Sequence, residues 1–275
     1  MRCFAGRGVV ITGAAGGLGA ALVQSFLKEG AQVLALDRDA QALQALQQAY
    51  PTTDAEGAPR LLTQVCDVTD AAACAAAMAY ANQRIGGVDV LVNNAGIAHR
   101  SAFANTRLDV LRRVMDVNFF GAVHCTQAAL KSLRSRRGLI ITISSVAGFA
   151  PLIGRTGYAA SKHALHGFFD SLRTELEDDG VGVLLVCPSF IATGIDQAAL
   201  GGDGAPAAQG RKTTGGQTQP AEVAQAILAA AHRNQHQLLI GSTARAAWWL
   251  SRLWPARYAR IMKRRLQAEI FPSNT

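Results

Sequence analysis

Short apolar runs rich in β-branched residues recur along the chain, at Gly8–Thr12, Gln32–Leu36, Leu61–Val65, Val88–Val92, Leu139–Ile143, Val181–Val186 and Gln237–Ile240. Longer stretches of helical character separate most of them: Gly17–Glu29, Ala40–Ala49, Ala71–Arg84, Arg107–Arg134, Tyr158–Glu177 and Ala221–Arg233. Strands that are apolar throughout, instead of alternating with polar residues, belong to a sheet covered on both faces. Strands that alternate with helices pair in parallel, and right-handed crossovers wind the helices onto both faces. The pattern predicts an α/β fold, a doubly wound and mainly parallel seven-stranded sheet over residues 1–241. No second core and no internal repeat appears.

Two segments depart from the rhythm. Residues 194–216 hold seven glycines and little periodicity, which predicts a long loop, read here as a lid over a bound substrate. Thr218 and Pro220 then restart a helix, with Thr218 as its expected cap. The tail, residues 242–275, is amphipathic: Ala247, Leu250 and Trp254 share one helical face, as do Tyr258, Ile261 and Met262, and Pro255 breaks it into two helices. A basic, Trp-bearing helix fits an anionic membrane surface, the mouth of a site, or a partner subunit. Packing against the body and covering the pocket is preferred to the membrane surface.

Composition sharpens this picture at one point. The 275 residues are 49% hydrophobic, enough for a large core, and carry a net charge of +8. Residues 241–275 alone carry +6, so the body is nearly neutral. The basicity therefore calls for no nucleic-acid partner, and no known nucleic-acid module accompanies it. Five scattered cysteines form no CxxC pair and no metal-ligand set. They read as reduced thiols of a cytoplasmic protein, with no signal peptide and no stretch of about 20 apolar residues to span a membrane.

The first candidate chemistry is the run from Thr12 to Gly19, TGAAGGLG, which ends a strand and opens a helix. Gly13, Gly17 and Gly19 permit a tight turn, a close backbone approach to a pyrophosphate and close helix–sheet packing, and the helix start supplies free N–H donors. Asp37 ends the second strand, where a carboxylate accepts the ribose hydroxyls of NAD and repels a 2′-phosphate. Arg38 beside it suits NADP instead. The strand-end acid favours NAD, with NADP open. As an alternative, Asp37 caps the helix from Ala40.

With these residues, five separated segments in order make the chain resemble the short-chain dehydrogenase/reductase family in its single-domain form. They are Thr12–Gly19 (TGxxxGxG), Asp67-Val68, Asn93-Asn94-Ala95-Gly96, Ser145, and Tyr158 to Lys162 (YxxxK), with Asn118 matching the family's helix asparagine. The resemblance covers about residues 7–241. It implies that Thr12, Gly13, Gly17, Leu18 and Gly19 take the phosphates, and that Asp67 and Val68 hold the adenine end. It further implies that Asn94, Ala95 and Gly96 line the cofactor, and that Pro188, Ile191 and Thr193 receive the nicotinamide carboxamide. Ser189 stands where the family has glycine. Family members commonly pair their fourth and fifth helices, so a homodimer or homotetramer is expected.

Tyr158 and Lys162 are spaced i, i+4 and share a helix face. A free tyrosine titrates near 10, and a nearby ammonium favours its phenolate, as general acid–base work requires. Ser145, at the end of another strand, would orient the substrate oxygen. Lys162 would also bind the nicotinamide ribose, and Asn118 would hold a water linking Lys162 to solvent. Ser144 is the neighbouring alternative to Ser145, and strand alternation turns one of the two away. His99, His124, His163 and His166 are read as surface or packing residues. Around the reaction centre Ala147, Leu152, Ile153 and Phe190 are apolar, and Arg155 is the one cation within reach of an anionic group. The reading is an NAD(H)-dependent oxidoreductase acting on a hydrophobic secondary alcohol or its ketone, with no metal. The alternatives are an NADP(H)-dependent carbonyl reductase, or a non-catalytic nucleotide-binding or membrane-surface protein on the same fold.

Overall fold

The computed structural model describes residues 1–50, 53, 57–207 and 216–270. Seven strands, β1 (Gly8–Thr12), β2 (Gln32–Asp37), β3 (Leu61–Val65), β4 (Val90–Asn93), β5 (Leu139–Ile143), β6 (Gly182–Pro188) and β7 (Gln237–Ile240), form one sheet in the order β3-β2-β1-β4-β5-β6-β7. Every pairing is parallel. The strand order reverses between β1 and β4, and in such a sheet the crevice beyond the carboxyl ends at that point is where ligands bind. The helices are α1 (Gly17–Lys28), α2 (Ala40–Ala49), α3 (Ala71–Arg84), α4 (Leu108–Met115), α5 (Gly121–Arg136), α6 (Thr156–Glu175), α7 (Pro220–His232), α8 (Ser242–Leu253) and α9 (Pro255–Ile270).

Two apolar layers flank the sheet. Val9, Ile11, Val33 and Ile141 point to the side of α1 and α7, joined by Leu22, Phe26 and Ile227. Val10, Leu34, Leu91 and Ile140 point to the side of α3, α5 and α6, joined by Met78, Leu133 and Phe169. Burial on both faces is why the strands read as continuous apolar runs. Aspartates cap the crossovers: Asp39 accepts from the Gln41 and Ala42 N–H groups, and Asp70 from those of Ala72 and Ala73. The α2 cap is therefore Asp39, which releases Asp37 from that alternative. The α7 cap is Gln219, not Thr218, and Pro220 opens the helix. Thr218 instead pairs its backbone with Phe190 and Ala192.

The stretch Arg107–Arg134 is not one helix. A π turn at Asp116–Phe120 separates α4 from α5. The extra residue in that turn rolls Asn118 inward, where its amide donates to the Ile97 carbonyl and to Ser161 Oγ and its oxygen accepts from the Ile97 N–H. Such turns recur at functional sites.

The long loop is partly built in. Leu200 pairs with His99 in parallel and with Pro206 antiparallel, and its side chain packs with Val110 and Val114. Gly194, Ile195, Ala198 and Ala199 stand on the cavity wall described below. Part of the predicted lid, residues 208–215, lies outside the described residues.

The tail docks, and not where a pocket cover would. Ala244, Ala247 and Tyr258, with Leu250 and Met262, pack on Val146, Phe149 and Ala150, behind the cavity wall, and no described tail residue lines the cavity. Trp254, placed by its spacing on the packed face, is 57% exposed, as are its neighbours Trp249 and Leu253 at 60% and 56%. Pro255 ends the first helix before Trp254 can reach the groove. Among the described residues no helix is long and apolar enough to cross a membrane.

Candidate active site

At the reversal point a cavity of about 620 Å³ opens over the carboxyl ends of β1, β2, β4, β5 and β6. One end is a glycine cradle. A Cβ on Gly13 would lie 2.8 Å from the Ala95 Cα, and one on Gly19 would lie 2.1 Å from the Gly13 carbonyl oxygen. Gly13 also has φ +61°, a left-handed conformation that glycine adopts freely. Gly16, which precedes α1, makes no side-chain cap, so the first N–H groups of the helix face the cavity with the positive end of its dipole. This is the environment a pyrophosphate needs, and the residues present fit a dinucleotide.

Thr12 ties the cradle to the neighbouring strand. Its hydroxyl donates to the Val92 carbonyl and accepts the Asn94 and Ala95 N–H groups at 3.0 Å each. The Asn94 amide returns two bonds, to the Thr12 and Gly13 carbonyls. Asn93, by contrast, points into the core and donates to Thr126. Asp37 is on the wall, its carboxylate held by the Ala15 N–H at 3.1 Å and the Asp39 N–H at 3.2 Å. Asp67 accepts from the Thr69 N–H and hydroxyl, which hold its carboxyl below the usual range, with Arg38 and Arg113 adding to the effect. Leu18, Gly17, Val68, Gly96, Pro188, Ile191 and Thr193 also line the cavity. Ser189 fits in the glycine position because it faces a glycine: a Cβ on Gly241 would lie 2.5 Å from Ser189 Oγ.

The other end gathers Ser145, Tyr158 and Lys162 on one wall. Ser145 leaves β5 fully extended and accepts the Ala147 N–H, opening a single 3-10 turn. Lys162 is buried and its Nζ donates to the Ile143 carbonyl at 2.9 Å, 5.7 Å from the centre of the Tyr158 ring. Burial pulls its ammonium down to about 8. Asn118 Oδ1 and Lys162 Nζ both border Gly96: a Cβ there would stand 3.2 Å from the first and 3.6 Å from the second. Both amide N–H donors of the Asn118 side chain are engaged within the protein, at Ile97 and Ser161.

Of the expected apolar pocket, only Leu152 is on the wall; Ala147, Ile153 and Phe190 are not. Ala147 is turned into the core by the 3-10 turn, and alternation past β6 puts Ile191 on the wall in place of Phe190. The wall there also carries His99, Arg100 and Arg155.

Sequence reading missed His166, although Tyr158, Lys162 and His166 are spaced by four and share a face of α6. Its Nε2 lies 2.9 Å from Ser144 Oγ and 3.6 Å from Cys187 Sγ. Ser144 also borders the cavity, but its hydroxyl is engaged by His166 and reaches the Lys162 carbonyl. Burial pulls His166 down to about 4, aided by His163, Arg252 and Lys162 and opposed by Asp170. A histidine lowered from 6.5 takes up a proton in the unfolded chain first, so stability falls as pH drops from about 6.5 toward 4. The loss by pH 4 is expected to be about 3 kcal/mol. Urea unfolding at pH 7 and pH 4 should show a flatter profile for His166→Gln; an unchanged profile would remove His166 as the cause. The cysteines also differ from their scattered look: Cys125 Sγ lies 3.5 Å from Cys74 Sγ, the bond to Cys74 pushes the Cys66 thiol up and the bond to Cys125 pushes Cys74 up, with burial adding to both.

A parallel doubly wound sheet with this cradle and this Ser–Tyr–Lys wall defines a dinucleotide-dependent dehydrogenase class. A model of the short chain dehydrogenase family matches residues 7–201, and the chain belongs to the short-chain dehydrogenase/reductase family of oxidoreductases. It is 38% identical over 265 residues to "Dehydrogenase/reductase SDR family member 7B" of Bos taurus, covering 95% of this chain and 82% of that protein. Two solved structures, each 24% identical, share the fold. A short chain dehydrogenase/reductase from Burkholderia phymatum in complex with NAD gives a TM-score of 0.80 over 100% of this chain and 99% of that one. A short chain dehydrogenase from Burkholderia cenocepacia in complex with NADP gives 0.78 over 95% and 99%.

Proposed function

We propose that the protein is an NAD(H)-dependent oxidoreductase that interconverts a secondary alcohol with an apolar frame and its ketone. The observation that carries this is the meeting, on one cavity wall, of Ser145, Tyr158 and Lys162 with the glycine cradle. A nicotinamide cofactor, when held by the glycine cradle, Asp37 and Lys162, would supply the hydride for reduction and would receive it in oxidation. Ser145 Oγ donates to the substrate oxygen and orients it. Tyr158 gives its phenolic proton to that oxygen as an alcohol forms, and takes it back when an alcohol is oxidised. The Lys162 ammonium favours the phenolate that remains, an effect strengthened by its dry surroundings. Asn118 is a positioning residue: it pins Ile97 and Ser161 and so sets the wall beside Lys162.

Asp37 supports NAD, because a fixed carboxylate at the end of β2 repels a 2′-phosphate. Arg38 and Arg113, both on the cavity wall and both acting on Asp67, favour the second reading, an NADP(H)-dependent carbonyl reductase. NADH should bind more tightly than NADPH, and Asp37→Ala should cut that preference about tenfold or more. Fluorescence titration of both cofactors decides it, with tighter NADPH binding overturning the NAD reading. A screen of graded alcohols and ketones, followed by NADH absorbance, tests the reaction itself. The expected homodimer or homotetramer would pair the Arg107–Arg134 stretch, which is α4 and α5 here, and α6; Leu108 and Phe120, exposed on α4 and in the π turn before α5, support a contact through the first of these.

A further inference from the structure

The tail has two faces, and the body covers one of them. Ala244, Ala247 and Leu250 of α8 and Tyr258 and Met262 of α9 hold it in place. Leu266 continues the buried stripe of α9 one turn on. The other face is apolar where the two helices meet. Leu253, Trp254, Pro255 and Ala256 form that corner, and all four are exposed. Trp249 lies on the same face of α8 as Leu253, at i, i+4 spacing. Three large apolar side chains, Trp249, Leu253 and Trp254, are thus more than half exposed in one place. A grouping of that kind marks a contact surface, whereas single exposed apolar residues do not.

The corner is ordered before anything covers it. The Trp254 N–H donates to the Leu250 carbonyl at 2.9 Å, and the Trp254 carbonyl accepts the Arg257 and Tyr258 N–H groups at 3.0 Å each. The Trp249 ring packs edge-on against Trp248, with centroids 4.8 Å apart, and the Arg252 guanidinium lies 4.0 Å over the Trp248 ring. A surface fixed in advance loses less freedom on binding.

Charge surrounds the same corner. Arg245 and Arg252 on α8 and Arg257, Arg260 and Arg264 on α9 are all exposed. The three on α9 recur at i, i+3, i+7, on the side opposite Tyr258, Met262 and Leu266. Residues 241–268 hold seven cations and no acid. Large apolar groups ringed by cations suit an anionic lipid surface, where the apolar side chains enter the boundary of the acyl chains and the basic ones meet the phosphates. A second copy of this face would set two tails of like charge against each other. A nucleic acid would leave Leu253 and Pro255 without a partner.

We propose that the corner Leu253–Ala256, with Trp249 and the arginines beside it, seats the protein on the surface of an anionic lipid bilayer. No described tail residue lines the cavity, so the seat is separate from the site and independent of the reaction proposed above.

The test uses the intact protein and phosphatidylcholine vesicles with and without about 30% phosphatidylserine. Cosedimentation should show binding about tenfold or more tighter to the anionic vesicles, and about 0.5 M salt should abolish the difference. Tryptophan emission should move to the blue and be quenched by lipids brominated on their acyl chains. The double change Trp249→Ser and Trp254→Ser should weaken vesicle binding about tenfold or more. The double change Arg257→Glu and Arg260→Glu should remove the preference for anionic vesicles. Both variants should keep the NADH affinity and melting temperature of the unaltered protein. Negligible binding of the unaltered protein to both kinds of vesicle overturns the proposal, whatever the variants do. Binding that heparin matches and that loss of the two tryptophans leaves unchanged overturns it as well, because a polyanion site behaves so. A concentration-dependent dimer that the tryptophan changes break, with no vesicle bound, assigns the corner to a second copy and overturns it too.

Discussion

Tyr158→Phe should lower kcat about 10²- to 10⁴-fold, the usual worth of a positioned general acid–base. The ring, its place on α6 and its contact with the Lys162 ammonium persist in the variant. Loss of one hydroxyl at a cavity wall should move stability by no more than about 1.5 kcal/mol. Cofactor affinity should stay within a few-fold, so the defect appears in kcat and not in the binding of NADH. A variant that keeps more than a tenth of the turnover would overturn the assignment of Tyr158 as the proton donor. The same measurement separates the catalytic reading from a binding protein on this fold, since a non-catalytic protein has no turnover to lose.

Gly19→Ala should damage both the fold and the cofactor site. Helix propensity argues the other way, because alanine is preferred to glycine inside a helix by about 1 kcal/mol. Geometry wins. The new Cβ would sit 2.1 Å from the Gly13 carbonyl oxygen and 2.7 Å from the Ala14 Cα, and backbone cannot rotate aside as a side chain can. Overpacking of this kind costs about 1–3 kcal/mol or more, and here it must open the turn that cradles the phosphates. A lower melting temperature with NADH affinity reduced about a hundredfold is expected. Gly16→Ala is the matched control in the same turn. Its Cβ would meet only the Gly13 carbonyl oxygen, at an ordinary 3.5 Å, and its backbone is extended with φ −75°. Equal losses in the two variants would show that flexibility of the turn, and not close approach, is what the glycines provide.

Much of this architecture is legible in the sequence. Runs such as Val9–Ile11 and Val33–Leu36 are apolar at every position, and only a sheet buried on both faces uses such runs. Gly13 and Gly19 could be singled out because the run that holds them falls between a strand and a helix, where a pyrophosphate site has its mechanism. Tyr158 and Lys162 were legible because i, i+4 spacing puts two side chains on one face whatever surrounds the helix. His166 carries the same spacing one turn further on, so its place on that face was legible as well. Its depth and its bond to Ser144 were not.

The features written along the chain are local and periodic: the strands and most helices, the parallel sheet, the cradle, and the shared face of Tyr158 and Lys162. These follow from backbone geometry, which repeats along the chain and depends little on distant partners. Features that need separate segments to meet come from the folded chain alone. The π turn that rolls Asn118 inward follows from its bonds to Ile97 and Ser161, on two other elements. The tail packs behind the wall because Tyr258 and Ala247 find Val146 and Ala150, a match of surfaces that no helical wheel contains. Arg100 and Arg155 meet on the cavity wall where the Ser101 N–H bonds the Gly154 carbonyl, between residues more than fifty positions apart. Charge placed that far apart along a chain says nothing of its neighbours until the sheet brings the loops together.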